Sequence, residues 1–99
     1  MMDITNDITV LKDAANTLSM LLSVYTTVKI VVKIDKDKRC FDIFPTTHAN
    51  QQVRMLVFDD MAKVFYEYGI QANHGYYKIT LPYSTVLNFL TLHKMKTGF

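Results

Sequence analysis

Between Ile4 and Tyr25 apolar residues recur every three or four positions; from Thr27 to Ile34 they recur every second position. A period near 3.6 aligns one face of a helix, and a period of two aligns one face of a strand. That switch rules out an all-helical or an all-strand chain. Ile4, Ile8, Leu11, Ala15, Leu18, Leu22 and Tyr25 make a single stripe, so a core-facing helix is predicted over residues 3–25. Asp3 and Asp7 stand where the helix dipole favours negative charge, and Met20 and Leu21 widen the stripe at its far end. The same heptad-like spacing also suits pairing with a second copy of the helix.

In the alternating segment Val28, Ile30, Val32 and Ile34 share one face, and Thr27, Lys29, Val31 and Lys33 share the other. One face is therefore expected to be buried and the other to be open. Asp35-Lys36-Asp37-Lys38 reads as a turn, and Arg39–Phe44 reads as the returning strand, ended by Pro45. A short loop centred on Lys36-Asp37 sets Val32 opposite Phe41 and Ile30 opposite Ile43. Lys33 then falls near Cys40, Lys29 near Phe44 and Val31 near Asp42.

Thr46 and Thr47 are placed to cap a second helix from about His48 to Tyr68, with Gly69 as its stop. Val53, Val57, Met61, Val64, Phe65 and Tyr68 form its main stripe; Phe58, Ala62 and Tyr66 form a second. Asn73-His74-Gly75 signals a turn, with a short strand over Ile70–Ala72 before it and a third main strand over Tyr76–Leu81 after it. Ser84 is placed to cap a last helix from Thr85 to about Lys96, stopped by Gly98. The order α-β-β-α-β-α predicts one α+β domain over residues 1–99, a small antiparallel three-stranded sheet covered on one face by helices. The first five elements follow an order also found among KH-like domains. The GxxG loop those domains use on RNA is absent between Ala49 and Tyr68, so no role follows from that order.

Composition narrows the function classes. With 49% hydrophobic and 20% charged residues the chain can fill a core without staples. Its single cysteine, Cys40, has no partner for an internal disulfide, and the acidic opening Met1-Met2-Asp3 is unlike a secretory leader. A cytoplasmic setting is expected, with no membrane span. A net charge of +2 is too even to imply nucleic acid by itself.

No motif argues for catalysis, a cofactor or a metal. Asp59 and Asp60 are adjacent on a helix and diverge by about 100°, so they read as a solvated pair and not as a catalytic dyad. His48, His74 and His93 show no metal-ligand spacing. Cys40, outward on its strand, lacks any glycine-rich turn that would stabilise an oxyanion, and three glycines are too few for a phosphate loop.

Two binding surfaces are predicted instead. If helices cover only one sheet face, Lys29, Lys33, Phe44, Tyr76 and Lys78 share the other, with Lys36, Lys38 and Arg39 in the adjoining turn. Bases stack on aromatic rings while lysines neutralise phosphates, which is how open sheets hold single-stranded nucleic acid. The same residues also describe an ordinary solvated face, and Asp42 on it opposes an anion. Six methionines, six tyrosines and six phenylalanines exceed what so small a core requires. Phe58 and Tyr66, on a second helix face, are candidates for a protein interface. The leading expectation is a non-enzymatic protein-binding domain, including self-association as a homodimer. Heavy use of Tyr, Asn, Thr, Lys and Met resembles small accessory proteins of low-GC phages, which inhibit or redirect host or defence complexes. Single-stranded nucleic-acid binding by the sheet face is the alternative.

Overall fold

A computed structural model describes residues 7–46, 51–74 and 77–98. Helix α1 spans Ile8–Thr26. Asp7 caps it, its carboxylate accepting the Thr9 N–H at 2.9 Å. Leu11, Ala14, Ala15, Leu18 and Leu22 form the buried stripe, while Tyr25, expected within it, is half exposed. The chain leaves α1 abruptly. Thr27 takes a left-handed conformation (φ 57°), and the Thr26 hydroxyl accepts the Val28 N–H at 3.3 Å. The first strand therefore begins three residues later than the alternation predicts.

Strands β1 (Ile30–Asp35), β2 (Cys40–Pro45) and β3 (Ile79–Pro82) form an antiparallel sheet in the order β1-β2-β3. The pairing sets Val32 opposite Ile43, Ile34 opposite Phe41 and Lys33 opposite Asp42, two residues away from the expected register. The loop is Lys36–Arg39. Asp35 Oδ1 accepts the Lys38 N–H at 3.1 Å and Arg39 adopts φ 54°, which lets Cys40 be the first residue to pair. A slip of two preserves the parity of the pleat, so every side chain keeps its expected face.

β3 starts at Ile79, after Tyr77 and Lys78, while its expected first residue, Tyr76, lies outside the described residues. Continuing the register would set Tyr77 against Pro45. Pro45 has no N–H to donate on the side facing β3, so the ladder cannot extend. Tyr77 is 79% exposed, and no strand forms over Ile70–Ala72; only an isolated bridge joins His74 to Ile79.

The backbone N–H and C=O of Ile30 lie on the outer edge of β1, because Thr46 donates to the Lys29 carbonyl and so fixes which β1 residues bond to β2. Two α1 serines satisfy them. Ser23 Oγ accepts the Ile30 N–H at 2.9 Å and donates to the Ser19 carbonyl, while Ser19 Oγ donates to the Ile30 carbonyl. The helix thus closes one end of an otherwise open strand edge.

Helix α2 is described over Gln51–Tyr66. Its expected start at His48 and its expected cap Thr47 lie outside the described residues. Thr46 closes the β ladder: both its N–H and its hydroxyl donate to the Lys29 carbonyl. The C-terminus is a Schellman turn, with Ile70 N–H donating to the Phe65 carbonyl, Gly69 N–H to the Tyr66 carbonyl, and Gly69 at φ 74°. Helix α3 spans Tyr83–Thr97, two residues earlier than predicted. Its first residue is pinned to the hairpin. Tyr83 N–H donates to the Arg39 carbonyl and its hydroxyl to the Asp35 carbonyl at 3.1 Å. Ser84 consequently lies inside the first turn and caps nothing.

All three helices pack on one sheet face. Ile30, Phe41, Ile43, Ile79 and Leu81 are buried there beneath Leu18, Leu22, Phe58, Phe65 and Phe89. Lys33 and Thr80, of opposite parity, are exposed. Ile8 and Leu11 lie beside Tyr83, and Tyr25 lies beside His93, so α1 and α3 run side by side in the same direction.

Candidate functional site

The open sheet face collects most of the cations expected on it. Lys29 and Lys33 are exposed, and Lys33 Nζ stands 5.7 Å from the centre of the half-buried Phe44 ring. Lys78 is not available in the same way. Its Nζ lies 3.5 Å from Asp42 Oδ2, whose other oxygen accepts the Thr80 hydroxyl at 2.8 Å. Asp42 thus sits at the centre of the face and offsets one of its three lysines. Tyr76 lies outside the described residues, which leaves Phe44 as the described ring among those expected here. Lys36, Lys38 and Arg39 project from the hairpin loop beside Asp35 and Asp37.

Other expectations are redistributed. Phe58, expected at a protein interface, is fully buried beneath α2. Its ring stacks on His74 at 5.3 Å, and His74 Nε2 lies 3.2 Å from Asp59 Oδ1. Tyr66 is 76% exposed and stands apart from Phe58. The two residues form no common surface, because the core takes Phe58 whole while Tyr66, in the last turn of α2, is left to solvent. Cys40 sits across from Asp35, not Lys33, and its thiol donates to the Lys38 carbonyl at 3.2 Å. Among the described residues no three His, Cys, Asp or Glu side chains are grouped to hold a metal ion, and no helix is long and apolar enough to cross a membrane.

An apolar concavity lies elsewhere, between α1 and α3. It encloses about 540 Å³ and is lined by Met20, Leu21, Val24 and Tyr25 of α1 and by Leu90 and His93 of α3, with Thr17 and Thr97 as its remaining lining. That volume is in the range of pockets that take a drug-sized group. Met20 is 71% exposed, Val24 76% and Tyr25 53%, so the α1 wall is apolar and open to solvent.

His93 is the polar group of this cleft that is most buried, at 5% exposure. Its ring is set among Phe89 and Tyr68, each 5.9 Å away, and Tyr25, edge-on at 6.3 Å. The Thr97 hydroxyl donates to the His93 carbonyl at 2.7 Å and lies 3.4 Å from His93 Nδ1. Nε2 is buried without a hydrogen-bond partner among the described residues.

The sequence reading missed this cleft. Its signal was Met20, offset from the core stripe of α1 and taken together with Leu21 as a widening of that stripe, with Val24 one turn further on not singled out.

These surfaces and this order of elements define the class: a small α+β domain with one open sheet face and one apolar interhelical cleft. Compared with known proteins, the chain matches no family model, no curated protein and no solved structure.

Proposed function

We propose that the chain is a non-enzymatic protein-binding domain that takes its partner in the α1–α3 cleft. One observation carries this reading: Met20, Val24 and Tyr25, all more than half exposed, form one wall of an apolar concavity of about 540 Å³. Isolated exposed apolar residues are ordinary on a protein surface, but a contiguous set lining a concavity is characteristic of interaction sites. Methionine and tyrosine are favoured in such places, because one adapts its shape and the other brings a large ring with a polar tip. The compositional likeness to phage accessory proteins points to a host or defence complex as the class of partner, and a second copy of the chain is the other candidate.

Site-specific photo-crosslinking tests this. A crosslinking residue at position 24 is expected to form protein adducts in cells that naturally express the chain. Those adducts should vanish when Met20→Lys is added. Adducts unchanged by Met20→Lys, or none at all, would remove the cleft as the docking site. Adducts of twice the chain mass would identify the partner as a second copy.

Single-stranded nucleic-acid binding remains the second reading, favoured by the Lys33 ammonium beside the Phe44 ring on an open sheet face. The Asp42–Lys78 pair weighs against it, since an anion approaching there meets a carboxylate first. Replacing Lys29, Lys33 and Lys78 together should abolish salt-sensitive binding of single-stranded RNA or DNA if this reading holds.

A further inference from the structure

The exposed line of α1 beside the cleft runs Asp13, Thr17, Met20 and Val24, at steps of four, three and four. That spacing is the seam one helix offers to another. On α3, Leu90, Lys94 and Thr97 follow at steps of four and three, and Leu90 and Thr97 line the cleft. Asp13 and Lys94 are both exposed, and neither forms an ion pair with a described residue.

The two charges stand at opposite ends of this face, because α1 and α3 run in the same direction. The Tyr25–His93 contact fixes the level. Lys94 follows His93 directly, whereas Asp13 precedes Tyr25 by twelve residues, about 18 Å along the helix. Their midpoint falls close to Met20. The other cations of the two helices leave this polarity intact. Lys12 lies on the flank of α1 that carries Ser19 to β1, and Lys96 stands 5.4 Å from the Tyr68 ring.

The face also holds both halves of a ridge-into-groove contact: Met20 and Val24 project beside a groove of about 540 Å³. A two-fold axis across the helices, passing by Met20, offers each copy's ridge to the other's groove and uses one surface twice. It also reverses the helix direction, so Asp13 of each copy meets Lys94 of the other. An axis along the helices keeps the direction and sets Asp13 against the first turns of α3, whose cations lie in its last turn. Charge therefore selects the antiparallel arrangement. A second copy carries the matching charges at the matching spacing by construction, which a foreign partner does not.

We infer that the occupant of the cleft is a second copy of this chain, in an antiparallel two-fold dimer with Met20 near the axis and an Asp13–Lys94 ion pair at each end. This inference rests on the reading of the cleft as a protein-docking site and names its occupant. Over the 15 residues of α3, two helices side by side offer roughly 20 Å by 22 Å, or about 400 Å² per copy, which belongs to weak, reversible association.

Sedimentation equilibrium of the intact chain, from low micromolar to near-millimolar concentration, should show monomer giving way to dimer. Asp13→Lys and Lys94→Asp each set like charges opposite one another twice, so each variant alone should dimerise about tenfold more weakly than the parent at low salt. An equimolar mixture of the two variants restores both ion pairs in the heterodimer and should regain the parent affinity. Urea unfolding checks that each variant folds; should either not, Met20→Lys, which places two ammonium groups beside the axis, should leave only monomer. A parent that stays monomeric throughout, or variants that associate alone as well as they do mixed, would overturn the inference. Position-24 adducts to a different protein that vanish with Met20→Lys, from a chain that stays monomeric, would leave the docking reading standing and remove only the second copy. Neither adducts nor dimer would remove both.

Discussion

Replacing Ser23 by alanine should destabilise the fold out of proportion to the atom removed. Ser23 Oγ is the acceptor of the Ile30 N–H, at 2.9 Å, and Ile30 is fully buried. The amide lies on the outer edge of β1, so no β2 carbonyl can take it over. A buried donor left unpaired costs about 1–3 kcal/mol. Alanine returns up to about 0.5 kcal/mol in a helix interior through better propensity. The net expectation is a loss of roughly 0.5–2.5 kcal/mol. Urea unfolding measures this, with the slope expected to stay constant and the midpoint to fall. Asn16→Ala, an exposed substitution on the same helix, supplies the control and should be neutral to slightly stabilising. Native-state hydrogen exchange supplies the local readout, since the Ile30 amide should lose protection ahead of its neighbours. Equal midpoints for Ser23→Ala and Asn16→Ala, with the Ile30 amide still protected, would refute the idea that α1 seals the strand edge through this hydroxyl.

Three further outcomes are expected. Thr27→Gly should raise the thermal midpoint by several degrees: an L-residue at φ 57° carries roughly 1–2 kcal/mol of strain, only partly offset by the entropy glycine loses on folding, and calorimetry reads the shift. Tyr83 has its phenol pKa raised, first by burial and then by the Asp35 charge, so the unfolded chain ionises more readily than the folded one. Its contribution is therefore complete below the unfolded value near 10 and lost as pH rises through the folded one; unfolding followed from pH 8 upward should show that decline, and Tyr83→Phe should abolish it while losing about 1 kcal/mol with the Asp35 hydrogen bond. Met20→Lys with Val24→Lys should leave urea stability within about 0.5 kcal/mol per site, because both side chains are largely exposed.

Much of the architecture was legible because local rules and global packing agree. The change from helical to alternating period at Tyr25–Thr27 called for α1 followed by β1, and both exist. Gly69 and Gly98 were read as helix stops and take the left-handed conformation that stops a helix. The two sheet faces were assigned correctly although the register was not, since a slip of two residues leaves parity untouched. Where neighbours in space overrule neighbours in sequence, the reading failed. The β1–β2 register depended on the Asp35 carboxylate holding the loop. The short β3 followed from Pro45 lying across from Tyr77. The early start of α3 followed from Tyr83 being pinned by the hairpin.

What the sequence by itself determined is the layered α+β plan and which face of each strand turns to the core, because periodicity is a local property written into the order of residues. What only the tertiary structure decided is the candidate site. Met20 looks like part of the core stripe on α1 alone, and nothing on α3 alone marks His93 as buried. The parallel packing of α1 against α3 leaves Met20 at the rim of a cleft and buries His93 within it. Burial is a property of the assembled pair of helices, so neither helix can announce it separately.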